Sequence, residues 1–217
     1  MSFKLSPSSL NLMKECPRCF WLDKHKKWKR PAGIFPSLPA GMDRILKEHF
    51  DRFMAKKELP PEICKNNNCE GMRLFDDKLL LKEWRSNLKG IRFSDEDGNV
   101  LSGAVDNLLV KNDKLIVLDF KTRGFALKEE TADAYQLQLD VYNFLLREKG
   151  YKTEDYGFLL FYIPSRVLET GEVVFDTGLV KRRIDVGNAE RVFKEAVALL
   201  NKDCPEERCG WCGGVER

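Results

Sequence analysis

The spacing of apolar positions along the chain divides it into a helical first part and a strand-rich second part. The stretch "SPSS" is a helix-start signal, and Leu10, Met13 and Phe20 follow at helical spacing, so a helix is predicted over residues 6–23. Residues 30–41, rich in Pro and Gly, read as loop. Met42, Ile45, Leu46, His49, Phe50 and Phe53 then form one face of a helix over residues 41–55. A Pro- and Asn-rich loop covers about 58–71, and 79–84 reads as a short helix or strand. From residue 89 to 175 the period changes. The segments "KGIRFS", "VLSGAVDNLLV", "KLIVLDFKT" and "YGFLLFYI" are β-favouring runs bounded by polar turns, with one long helix, 131–148, before the last of them. "EVVF" and "LVKRRID" add one or two late strands, and 187–202 is a final helix. The order strand, strand, strand, helix, strand predicts an α/β (α+β) fold, a mixed sheet with a crossover helix.

Within that frame "LIVLDFKT" is unusual, because its apolar run ends in Asp119 and Lys121. Asn112-Asp113 suits a two-residue hairpin turn. Lys111 then faces Lys114, position numbers across the hairpin sum to 225, and Asp106 falls opposite Asp119. Opposed Cβ atoms lie ~4.5–5.5 Å apart, where two like charges destabilise the pair unless a cation sits between them. Lys121 shares the face of Asp119, and in this register it faces the small Ala104. On the helix, Leu137, Val141 and Leu145 make a core stripe, while Gln138 and Tyr142 form an adjacent i, i+4 stripe able to hydrogen-bond phosphate.

The 217 residues suffice for one domain with a sizeable core or two small ones. No apolar run approaches a membrane span and no signal-peptide core is present, so no membrane association and a cytoplasmic location are expected. The net charge of +3 matters less than its distribution. Five of the seven residues in "KHKKWKR" (24–30) are basic, with Trp28 among them, and Lys181, Arg182 and Arg183 form a second cluster. Basic clusters carrying an aromatic suit a nucleic-acid backbone and a stacked base, although a solvated face is an equal alternative. The seven cysteines, odd in number, argue against a disulfide framework. "CPRC" and "CPEERCGWC" place a C-x2-C near each end; Cys64 and Cys69 read as incidental.

The order "GAVD", hairpin, "VLDFKT", then a helix with Gln-x3-Tyr resembles the PD-(D/E)XK nuclease superfamily, and within it the RecB-like branch that includes the CRISPR-associated exonucleases. "SPSSLNLMKECPRCFWL" is similar to that branch's N-terminal helix, and "GMDRILKEHF" stands where the family has an active-site helix. The resemblance implies a restriction-endonuclease-like fold: a mixed central β-sheet flanked by helices, with a cysteine-ligated metal site joining the N- and C-terminal segments. It implies one domain over 1–217, with a helical part about 1–85, a catalytic sheet core about 89–185, and a C-terminal helix and cysteine cluster at 187–217. By the same resemblance Asp106, Asp119 and the carbonyl of Phe120 bind Mg²⁺ or Mn²⁺, as oxygen donors suit a hard cation. Lys121 positions or deprotonates the attacking water, and Gln138 and Tyr142 contact the substrate. Asp43 or His49 completes the metal site; His49 also lies on an apolar face, where a core role is natural. The branch's one-plus-three cysteine count implies a 4Fe–4S cluster on Cys16, Cys204, Cys209 and Cys212. The paired motifs Cys16, Cys19, Cys209 and Cys212 suit structural Zn²⁺ equally.

The function implied is metal-dependent hydrolysis of DNA phosphodiester bonds, by an exonuclease acting on single strands or ends. A non-catalytic nucleic-acid-binding module, or an RNA or nucleotide phosphodiesterase on the same fold, is the alternative. DNA is the expected partner, within a larger repair or CRISPR-type complex. No helicase-type phosphate loop occurs, so any unwinding must come from elsewhere.

Overall fold

The structure, a computed structural model, describes residues 2–33, 36–66 and 69–215. After strand β1 (Lys4–Leu5), the first helical stretch is two helices rather than one: α1 (Pro7–Glu15) and α2 (Pro17–Lys24). The break is at Cys16, which is extended at φ −159° because the following Pro17 disfavours helical backbone before it. Ser6 caps α1 in a capping box with Ser9. Helix α3 (Ser37–Lys56) begins four residues before the expected start, with Pro39 in its first turn, where no N–H is needed. It ends at Lys57 in the left-handed region, φ 58°. The loop expected at 58–71 contains the short helix α4 (Pro61–Cys64), and 79–84 lies in helix α5 (Lys78–Trp84), capped by Asp77.

Two sheets follow from the strands. The smaller has the order β1-β4-β3, with β3 (Ile91–Ser94) and β4 (Val100–Gly103) antiparallel. The larger has the order β2-β5-β6-β7-β8, built from β2 (Arg73–Leu74), β5 (Asn107–Lys111), β6 (Lys114–Thr122), β7 (Tyr156–Val167) and β8 (Val173–Arg183). "VLSGAVDNLLV", read as one strand, is therefore two strands in different sheets, separated at 104–106. Strand β6 is central, and its residues Leu115–Phe120 are buried, as its apolar run requires. It pairs with β7 in parallel through the crossover helix α6 (Gln136–Glu148), which follows a 3₁₀ turn at Glu129–Tyr135. The one or two late strands expected from "EVVF" and "LVKRRID" are the single strand β8. Helix α7 (Val186–Leu200) packs on α6. Among the described residues no helix is long and apolar enough to cross a membrane.

Helix α6 is the central brace. Its apolar stripe lies in the main core, and it contacts α1, α7, β3, β4 and β6. Asp140, fully buried on α6, accepts hydrogen bonds from Gln136 Nε2 (2.8 Å), the Asp185 backbone N–H (2.9 Å) and Asn188 Nδ2 (2.8 Å). A buried carboxylate needs such donors, and here they tie α6 to the first turn of α7. Asp140→Ala leaves these donors without an acceptor and is expected to destabilise the fold by about 2–4 kcal/mol, read as a lower urea midpoint. A midpoint within error of the parent would show that the tie carries no stability.

Candidate active site

Four elements converge where β5 and β6 lead away from their turn. Asn112 and Asp113 both have positive φ, 48° and 60°, as a two-residue hairpin turn of this hand requires. Lys111 pairs with Lys114, and the ladder runs in the expected register to Asn107↔Leu118. Asp106 stands one position past the last pair, and its Oδ2 accepts the Phe120 backbone N–H at 2.8 Å. Lys121 does not face Ala104, because the chain leaves for β4 and the other sheet. Lys121 pairs with Phe161 of β7 instead.

The side chains form one hydrogen-bonded cluster. Asp119, 1% exposed, ion-pairs with Lys121. Lys121 Nζ donates to Gln138 Oε1 at 3.1 Å and lies 4.6 Å from the centre of the Tyr135 ring. Gln138 Nε2 donates to Asp119 Oδ1 (3.1 Å) and Tyr142 Oη (2.6 Å). From α3, Lys47 Nζ bridges Asp43 Oδ1 at 2.7 Å and Asp106 Oδ1 at 3.1 Å. From just after α5, Arg85 Nε donates to the Asp106 carbonyl at 2.7 Å while its Nη1 holds Asp51 at 2.7 Å, which fixes the backbone at the strand break.

Burial and the neighbouring Asp106 charge push the Asp119 carboxyl up to about 7, against the opposing pull of Lys121. Burial works against the Lys47 ammonium, but the carboxylates of Asp106 and Asp43 outweigh it and raise its pKa. Burial and the Asp119 charge raise Tyr142 well above the ordinary tyrosine range, so its hydroxyl stays protonated.

The donor set fits a hard divalent cation. Two carboxylates meet at the strand break, and Asp119 Oδ2, fully buried, accepts no hydrogen bond of ordinary geometry and meets only the Lys121 ammonium. Asp43, Asp106 and Asp119 face two ammonium groups, Lys47 and Lys121.

Asp106, Asp119, Lys121, Gln138 and Tyr142 are thus brought together. Asp43 reaches the cluster through Lys47. His49 does not join it: its Nε2 meets Glu62 Oε1 at 3.0 Å, its ring lies edge-on to Phe50 and Phe53, and Glu62 also accepts from Tyr162 Oη at 2.7 Å. The ring of Phe120 packs on Phe50, with centroids 4.6 Å apart. Lys47 and Arg85 are the members that the chain pattern does not single out, and the only local hint is the i, i+4 spacing of Asp43 and Lys47.

In the first basic cluster Trp28 packs against the cysteine group and Arg30 pairs with Glu15 at 2.7 Å, while Lys26, Lys27 and Lys29 are exposed. In the second cluster Lys181 lies over the Tyr156 ring and Arg182 pairs with Asp133. Among the cysteines, the sulfurs of Cys16, Cys19, Cys209 and Cys212 lie within 4.8 Å of one another. Cys204 is not part of that group, and its thiol takes a hydrogen bond from Arg18 Nη1 at 3.4 Å instead.

A model of the PD-(D/E)XK nuclease superfamily matches residues 4–214. No curated protein matches significantly. Among solved structures the chain is similar to SSO0001, at 15% identity over 93% of this chain and 79% of that one, with a TM-score of 0.43, a likeness too distant to bear on the site.

Replacing Lys121 by Met removes the one cation that lowers the Asp119 pKa. In metal-free protein the Asp119 midpoint is expected to rise above its parent value of about 7, measured by carboxyl carbon NMR titration. An unmoved midpoint would mean that the ion pair does not set the charge on Asp119.

Proposed function

The chain belongs to the PD-(D/E)XK nuclease superfamily, and we propose that it is a Mg²⁺- or Mn²⁺-dependent deoxyribonuclease that removes nucleotides from single-stranded DNA or DNA ends. The observation that carries this reading is the hydrogen-bonded cluster of Asp119, Lys121, Gln138 and Tyr142, with Asp106 held next to it on the Phe120 N–H, beside a groove of about 480 Å³. The groove is lined by Gln138 and Tyr142 together with Ser6, Ser8, Asn11 and Lys89. Hydroxyls, amides and an ammonium suit a phosphate backbone.

Asp106 and Asp119 would hold the cation, which when bound polarises the scissile phosphate and lowers the pKa of water. The chain's own groups do the rest. The Phe120 N–H fixes the Asp106 carboxylate, and Gln138 fixes that of Asp119. The Lys121 ammonium, beside Asp119, would hold the attacking water or the phosphate oxygens. Gln138 ties Lys121, Asp119 and Tyr142 to one helix, so the geometry is preset by secondary structure. The four-cysteine group, remote from these residues in sequence, is proposed as a structural metal centre.

Asp119→Ala and Lys121→Ala are each expected to lower Mg²⁺-dependent cleavage of a labelled single strand by about 10²-fold or more, with unchanged circular dichroism. Cleavage at the parent rate by both variants would refute the site. Lys89→Ala is expected to weaken DNA binding equally for all sequences and to reduce the salt slope of log K by about 1. An unaltered slope would place the strand elsewhere.

A further inference from the structure

The cysteine group departs from the four-iron cluster implied by the sequence resemblance, in both membership and size. The sulfur separations are 3.9 Å for Cys16–Cys212, 3.5 Å for Cys19–Cys209 and 3.8 Å for Cys209–Cys212. For a zinc–sulfur bond of about 2.3 Å, the edges of a regular ZnS₄ tetrahedron are about 3.8 Å. In a 4Fe–4S cluster each thiolate binds a different iron of a cube, so the four sulfurs stand outside the cube and further apart. The space enclosed here is that of one ion. A disulfide would need sulfurs about 2 Å apart, and all four residues are free cysteines.

Backbone amides and one guanidinium approach the sulfurs. Each C-x2-C turn aims a backbone amide at a sulfur: Cys19 N–H to Cys16 Sγ and Cys209 N–H to Cys212 Sγ, both at 3.4 Å. One divalent ion with four thiolates carries a net charge of −2, and Arg30 Nη2 approaches Cys209 Sγ at 3.9 Å to offset part of it. Cys204 has a different task. The buried Arg18 donates to Cys204 Sγ at 3.4 Å, to the Pro205 carbonyl at 2.8 Å and to the Val215 carbonyl at 3.0 Å, so its guanidinium pins both ends of the tail loop.

We propose that Cys16, Cys19, Cys209 and Cys212 bind a single tetrahedral Zn²⁺ that clasps the N-terminal helix pair to the C-terminal tail, with Cys204 outside the ligand set. The test is metal content and spectroscopy on the full chain, purified without chelator. The expected result is colourless protein with one zinc per chain. Exchange into Co²⁺ is expected to give the strong ligand-field and thiolate charge-transfer absorption of tetrahedral CoS₄. Cys204→Ser should keep one ion and the same cobalt spectrum, whereas Cys19→Ser should lose the ion or the four-thiolate spectrum. If Cys19→Ser fails to fold, the cobalt spectrum of the parent and the metal content of Cys204→Ser decide. Brown protein containing iron and inorganic sulfide, or loss of metal in Cys204→Ser, would overturn the proposal, as would parent protein that takes up neither metal. None of these readouts uses DNA cleavage, so the nuclease reading stands or falls separately.

Discussion

The two-residue turn at Asn112-Asp113 sets the register of β5 on β6, and the candidate active site depends on that register. A slip of one residue would turn the alternate side chains of β5 to the opposite face. In the observed register Asp106 arrives beside Phe120 just as the ladder ends, so its carboxylate takes the N–H that a continued strand would have used. Two carboxylates at the end of a buried strand repel each other. The fold answers with cations from two directions, Lys47 from α3 and Lys121 from β6 itself. Burial and Asp106 nonetheless keep the Asp119 pKa raised, and a further cation would lower it.

Helix α6 serves two purposes with adjacent stripes. Its apolar stripe holds the sheet, while Gln138 and Tyr142, one turn apart, hold the polar cluster. The approach of β4 makes this possible. A Cβ at Gly103 would come within 2.7 Å of the Tyr142 ring, so glycine is required where the strand passes beneath the helix. Strand β4 is held against α6, and Arg85 secures the carbonyl of Asp106 as the chain turns into β5.

Short-range rules made much of this legible in the sequence. The hairpin register follows from a turn and a period of two, and the Gln-x3-Tyr stripe from a period of 3.6. What was illegible depends on contacts between segments distant along the chain. Nothing local to "VLSGAVDNLLV" shows that it divides between two sheets, since all of it favours strand. Asp43 and His49 lie on the same helix, and only the packing of α3 sends Lys47 toward Asp106 and His49 toward Glu62. Cys19 and Cys204 were equally eligible as fourth cysteine, and the distinction needs the position of Arg18, which occupies Cys204. In the basic run at 24–30, a linear pattern does not display that Arg30 meets Glu15 or that Trp28 packs on the cysteine group.

The cysteine group and the candidate active site are joined mechanically. Ser6 and Ser8 line the groove at the start of α1, and α1 passes through Cys16 directly into α2, where Cys19 lies. Helix α1 packs on α6 and α7, and α2 packs on α7. The groove wall is therefore held at one end by the core and at the other by the cysteine group. Nine residues of helix bury little surface on their own, and β1 anchors the start of α1 on β4. The grouping of Cys16 and Cys19 with Cys209 and Cys212 holds its other end, so the hydroxyls facing the groove are fixed from both sides relative to Gln138 and Tyr142.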